Sequence, residues 1–123
     1  EQLDKAEDAF RKAIPIGDET CPAAAGAFRA SLALLLAQQD QLDEAQALLK
    51  TGEPQIATYP SEHAKLLCKK GQVQRLANEP EAAQKALDQA KELSAEFKFG
   101  AVGEVAESIS ALTALLDSRS SPD

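Results

Sequence analysis

The chain has 123 residues, a length at which a single domain can bury a continuous core. Hydrophobic residues make up 44% of it but aromatics only 4%, and the abundance of Ala and Leu over β-branched and aromatic residues predicts an all-α fold. A net charge of −7 argues against a nucleic-acid backbone as partner, and no apolar run reaches membrane-spanning length or forms a signal peptide.

In chain order, the first predicted helix covers about 3–13 and contains "LDKAEDAF". The connection "IPIGDETCP" (14–22) is expected to end it. A second helix spans 22–38, opened by Pro22, and "QQDQ" (38–41) turns the chain with Asp40 placed to cap the next helix. The third helix, about 41–51, holds "LDEAQALL", and "TGEPQIATYP" (51–60) is read as a long connection leading to Ser61, a candidate N-cap. The fourth helix covers about 62–77. "LANEP" (76–80) turns into the fifth, with Asn78 or Glu79 as cap and Pro80 in the first turn, where its missing N–H is not needed. "FKFGAVG" (97–103) breaks the chain before a last helix at about 104–117, whose Val105, Ile109, Leu112, Leu115 and Leu116 lie at helical spacing. The domain is thus taken as residues 1–117, with 118–123 a disordered tail lacking an apolar anchor.

The first, third and fifth helices share a pattern. Ala6, Ala45 and Ala83 align, followed four residues later by Phe10, Leu49 and Leu87, and three later again by Ala13, Gly52 and Ala90. Small, large, small at this spacing is one helix face that admits a neighbour closely and then inserts a knob. The preceding helices repeat as well: Ala33 and Gly71 each lie 12 residues before the aligned alanine. Leu32, Leu36, Leu67 and Val73 flank them.

On these residues the chain resembles the tetratricopeptide repeat family across about residues 1–100. The resemblance implies a right-handed superhelical array of about six antiparallel helices, an α-solenoid. The spacings of 39 and 38 exceed the family's usual value of about 34, and Lys70 stands where the family has Leu. The first helix has the character of a second repeat helix without its partner, and the chain contains no Met. It is therefore read as a piece that begins mid-repeat.

No residue constellation points to catalysis. The single His63, in "SEHAKLL", has no nucleophile or orienting group beside it in sequence and is read as a surface or partly packed side chain. Cys21 stands at a helix start and Cys68 among packing residues; neither has metal spacing, and both are expected as reduced thiols, consistent with a cytoplasmic protein. The carboxylates fall at helix-surface spacing, and "KTGEP" is no phosphate loop. No enzyme, metal or cofactor is expected.

The resemblance places a ligand on the concave face, lined by the first helix of each pair. Residues 62–91 form a mildly basic centre, with 6 bases against 4 acids. There the stripe Lys65, Cys68, Gln72 and Arg75, flanked by Lys69, is either a groove wall or a solvated face. The matching stripe on the preceding helix is Ala27, Ala30, Leu34 and Ala37. Its helix, "PAAAGAFRASLALLLAQ", is apolar nearly all round, and the helices at 3–13, 41–51 and 62–77 are expected to cover three sides and leave this stripe open. The candidate peptide-binding residues are therefore Lys65, Lys69, Gln72, Arg75, Ala27, Ala30, Leu34 and Ala37. Chaperone-cofactor members of the family clamp a C-terminal carboxylate; Lys65 and Lys69 match two clamp positions, but Ser31 stands where Asn is needed.

Two functional readings are consistent with these residues. One is a protein- or peptide-binding module of a larger regulatory or scaffold protein, whose partner segment is apolar with acidic character. The other is a structural or oligomerisation segment whose inner face packs on its own protein, with self-association possible. Neither involves nucleic acid or membrane.

Overall fold

The computed structural model describes residues 2–120. They form six helices: α1 (Gln2–Thr20), α2 (Pro22–Gln38), α3 (Leu42–Ile56), α4 (Pro60–Leu76), α5 (Pro80–Phe97) and α6 (Glu104–Ser120), with no strand among the described residues. None of these helices is long and apolar enough to cross a membrane. α6 runs on to Ser120, past residue 118, the expected start of the tail; residues 121–123 lie outside the described residues.

The even-numbered helices form the spine. α2 packs against α1, α3 and α4; α4 packs against α2, α3, α5 and α6; α6 packs against α4 and α5. The odd-numbered helices make no close backbone approach to one another, and α1 and α3 meet through polar side chains. One apolar cluster joins α1 to α4 through Ile14, Leu32, Leu36, Leu49, Leu66 and Val73. A second joins α4, α5 and α6 through Leu67, Cys68, Leu87, Ala90 and Leu112.

Two helices pass through residues expected to end them. α1 continues across Pro15 to Thr20, and α3 continues across Pro54 to Ile56. An interior proline forfeits one helical hydrogen bond and costs about 3 kcal/mol or more. Residues beyond each proline supply the offset, because Gly17 is buried against the backbone of Ala25, and Ile56 is 1% exposed. The connection after α1 is consequently only Cys21, whose N–H donates to Gly17 O at 2.7 Å.

The turn residues also act differently from expectation. Asp40 and Asn78 do not cap the following helices; both sit in the left-handed region (φ 65 and 63) and close the preceding ones. Around Asp40, its own N–H donates to Ala37 O, and that of Gln41 donates to Leu36 O. Around Asn78, the N–H donates to Arg75 O, and that of Glu79 to Gln74 O. This paired pattern satisfies carbonyls a helix end would otherwise leave open, and Asn and Asp tolerate the conformation better than most residues. The N-cap positions fall to Gln41, Tyr59 and Glu79, the last being the second of the two residues expected before α5; none has a side-chain capping bond, and Ser61 lies inside α4.

Small residues set the helix separations. A Cβ on Gly26 would lie 2.8 Å from both Gly52 O and Ile56 Cγ2, so α2 and α3 meet backbone to backbone. A Cβ on Gly71 would lie 2.6 Å from Leu112 Cδ2 of α6 and 3.4 Å from Ala83 O of α5. The stripes Ala45/Leu49/Gly52 and Ala83/Leu87/Ala90 are buried throughout. Ala6/Phe10/Ala13, which alignment with these stripes predicts to be buried as well, is only half-buried. The Phe10 ring packs on Phe28 at a centroid distance of 6.3 Å, and no described helix lies where α2 and α4 cover the equivalent stripes of α3 and α5.

A polar knot ties α1, α2 and α3 together. Arg29 donates through Nη1 and Nη2 to Asp18 Oδ1 and Oδ2 at 2.7 and 2.9 Å, and Nη1 also donates to Gln55 Oε1 at 2.8 Å. Gln55 Nε2 closes the ring on Asp18 Oδ1 at 2.9 Å. These hydrogen bonds, from Arg29 first and Gln55 second, bring the Asp18 carboxyl from its ordinary 3.8 down to about 2.

The packing sets two expectations for stability. Leu87→Ala should lower the free energy of unfolding by about 2–5 kcal/mol, since it empties a buried site. Gly26→Ala should also destabilise, by about 1–3 kcal/mol, because the neighbouring atoms are backbone and a branched side chain. Urea denaturation measures both, and a neutral Gly26→Ala would refute the close crossing. The Asp18 carboxyl titrates lower in the folded chain than in the unfolded one, so its contribution is fully present above pH 3.8 and is lost as pH falls toward 2. Asp18→Asn should therefore flatten the fall in stability over that window relative to the parent, and parallel curves would show that the knot carries no linkage.

Candidate peptide-binding groove

Along the face shared by α2, α4 and α6 runs an open cleft of about 410 Å3. Four of the expected residues line it: Leu34 from α2, and Lys65, Lys69 and Gln72 from α4. Buried Cys68 joins them, and the opposite wall belongs to α6, through Glu104, Glu107, Ser108 and Ala111.

The other four candidates lie elsewhere. Ala30 and Ala37 are only 1% and 3% exposed and belong to the same apolar cluster as Leu66 and Val73 of α4. Their expected exposure is corrected by the direct packing of α4 on α2: small side chains there are used for helix approach. Ala27 is half-buried and lies outside the cleft lining. Arg75 is also half-buried and away from the lining, and its Nε is buried without a hydrogen-bond partner.

The electrostatics separate the two lysines. Lys65 Nζ lies 3.0 Å from Glu62 Oε2 on its own helix and 2.8 Å from Glu104 Oε1 across the cleft. The hydrogen bond to Glu104 raises the Lys65 pKa and correspondingly lowers that of Glu104. Lys69 makes no ion pair or hydrogen bond among the described residues. Burial, then the charge of Lys65, lowers its pKa. One cation of the cleft is thus satisfied internally and the other is not.

Glu104 escapes sequence reasoning as a cleft residue because its spacing to Glu107 reads as an ordinary solvated face. A signal is present, however. Leu66 and Val73 recur 39 residues later as Val105 and Leu112, all four buried, and the same step carries Lys65 onto Glu104.

His63 and Lys70 meet on the other side of α4. His63 Nε2 lies 2.9 Å from Glu53 Oε2 of α3, and Lys70 Nζ donates to Glu53 Oε1 at 3.0 Å. Burial opposes ionisation of Glu53, but the hydrogen bonds from His63 and Lys70 outweigh it and lower its pKa. Lys70 therefore serves as an α4–α3 tie. A second cleft, about 470 Å3, lies beside this tie and is lined by Lys50, Glu53, Pro54 and Gln74 among others. No group of three His, Cys, Asp or Glu side chains is placed to hold a metal among the described residues.

Comparison of the chain with protein-family models, curated proteins and solved structures gave no match.

Cys21 is exposed and Cys68 buried, and neither is in a disulfide. Burial pushes the Cys68 thiol up to about 11, so little thiolate forms near neutral pH. A thiol reagent should label Cys21 rapidly in the native protein and Cys68 only after denaturation. Equal native rates at both positions would contradict the packing of α4 against α5 and α6.

Proposed function

We propose that this domain is a protein- or peptide-binding helical module of the tetratricopeptide type, holding an apolar segment with acidic character against α2, α4 and α6. The observation that carries the reading is Lys69. Its ammonium sits partly desolvated beside Lys65, within the field of Glu62 and Glu104 but in hydrogen-bonded contact with neither, in a cleft whose α2 wall is Leu34. A ligand carboxylate placed there would offset, by attraction, both unfavourable influences on Lys69, while an apolar neighbour on the ligand covers Leu34. Support for the repeat reading comes from the order of contacts. Each even helix touches its sequence neighbours and the adjacent even helices, which is how helix pairs stack into a one-dimensional array. The ligand side of this array is the even-numbered face, and no catalytic role is assigned to it.

Selection of a displayed random peptide library against the domain tests the proposal. Enriched peptides should combine Asp or Glu with large apolar residues. Their affinity should fall at least about tenfold with Leu34→Glu, and severalfold with Lys69→Glu in a manner that fades at high salt. Lys12→Glu, on exposed α1, should leave binding unchanged. Enriched peptides indifferent to both groove substitutions would place the site elsewhere. A library that yields no ligand would favour the structural-segment reading.

A further inference from the structure

The first and last described helices of the stack carry surfaces that complement each other. In α3 and α5 the small–large–small stripe is sealed by the helix before it, whereas in α1 the stripe Ala6/Phe10/Ala13 stays half-buried. At the other end, α2 and α4 each receive the following odd helix, but α6 has no described helix in that seat. The seat is a cleft of about 540 Å3 between the C-terminal half of α5 and the N-terminal half of α6, lined by Ala95, Ala106, Ile109 and Ser110 with Lys91 and Lys98 at its side.

Register decides what fits the seat. The step that carries Ala45 back to Ala6 carries Gln55 back to Ile16; the step from Ala45 to Ala83 carries Gln55 on to Leu93. Gln55 is part-buried in the knot with Asp18 and Arg29, and Leu93 is partly buried against the cluster that contains Leu67. Ile16 alone of the three is exposed, at 64%. On the receiving side, the step from Ala6 to Ala83 carries Asp18 onto Ala95, and Arg29 falls correspondingly onto Ala106. Both of those alanines line the seat. Where the internal junction has a carboxylate, a guanidinium and an amide, a docked α1 would thus bring Ile16 against two alanines. All three positions change from polar to apolar together.

A charge pair transfers in the same way. In the internal junction Arg11 of α1 reaches Glu44 of α3 at 2.9 Å. The equivalent of Arg11 on α5 is Asp88, and the equivalent of Glu44 on a docked α1 is Lys5. The signs are exchanged but remain opposite, and both side chains are exposed.

We propose that a second copy of this chain is the occupant: α1 of one molecule docks head-to-tail on the α5–α6 seat of another, with Ile16 filling the cleft and Lys5 pairing with Asp88. Such a contact is heterologous, so each docked molecule presents a further free seat and association continues past the dimer, into open chains unless the rotation closes a ring. It uses the helix register and is independent of the ligand proposed for the even-numbered face.

Sedimentation velocity of the chain Glu1–Asp123 over a wide concentration range tests it. The expected result is a weight-average sedimentation coefficient that keeps rising past the dimer. Ile16→Glu, at an exposed position that leaves the fold intact by circular dichroism, should weaken association at least about tenfold, since it puts a charge into an apolar seat. Lys5→Glu and Asp88→Lys should each weaken it severalfold at low salt, and the double variant should recover most of the loss. A strictly monomeric parent would overturn the proposal. So would a closed dimer, or association that Ile16→Glu leaves unchanged. Failure of the double variant to recover would overturn the assigned register.

Discussion

The backbone-to-backbone contact of Gly26 with Gly52 is the constraint on which the rest of the α1–α4 half depends. With the carbonyl oxygen of Gly52 2.8 Å from where a Cβ on Gly26 would stand, α2 and α3 have no room for side chains between them at that level. Bulk is displaced to the ends of the crossing, where Ile56 on one side and Leu49 on the other fill the space. Close approach also brings the long polar side chains at the rim of the crossing within reach of one another. Arg29 and Gln55 meet there at 2.8 Å, and Asp18 joins because Gly17 lets α1 approach the start of α2. The knot is thus a consequence of three small residues. It also supplies Arg29 with an anionic partner on a helix that is otherwise almost wholly apolar, and without such a partner its partial burial would be costly.

The α4–α6 half uses the same principle with a different filler. Gly71 faces the Leu112 side chain and the Ala83 backbone, so one glycine accommodates two neighbouring helices. At the positions equivalent to the knot, Leu67 and Leu93 belong to an apolar cluster. The chain therefore solves one geometric problem twice, once with a hydrogen-bonded ring and once with leucines. Conserving helix geometry does not require conserving polarity, and a head-to-tail junction through Ile16 would be the apolar solution a further time.

The same packing logic separates the parts of the fold that are legible in the sequence from those that are not. The stripes beginning at Ala45 and Ala83 can be read because burial selects size as well as hydropathy, and small–large–small survives exchange of Leu for Phe or Ala for Gly. Helix ends are less legible. Pro15 and Pro54 signal termination locally, yet tertiary burial of Gly17 and Ile56 carries the helices through them. Asp40 and Asn78 are equally good N-caps and left-handed terminators by composition, and only the hydrogen bonds of the preceding turn decide between the two uses. In the groove, periodicity suffices to bring Leu34, Lys65, Lys69 and Gln72 together. It misplaces Ala30 and Ala37, because a helical wheel locates a face but does not say how far a neighbouring helix rolls onto it. Glu104 needs a third helix aligned to the first two, and the alignment rests on only Val105 and Leu112.

Glu104 also changes what the basic stripe of α4 can do. Two lysines one turn apart in a partly desolvated cleft repel each other, and that repulsion contributes to the lowered pKa of Lys69. By pairing with Lys65 at 2.8 Å, Glu104 offsets part of that charge, while Lys69 has no close ion pair of its own. The Glu104 side chain is 80% exposed, so its pair with Lys65 is held in water and is individually weak. A ligand acid can displace it at small cost, and Lys65 then becomes available as a second cation. On the proposed reading, the face would thus have a graded capacity for negative charge: Lys69 would be met first, and Lys65 would follow by competition with a residue of the domain itself. In a chain of net charge −7, the proposed binding mode would favour acidic partners that also cover Leu34, because long-range repulsion opposes any acid that lacks the apolar contact.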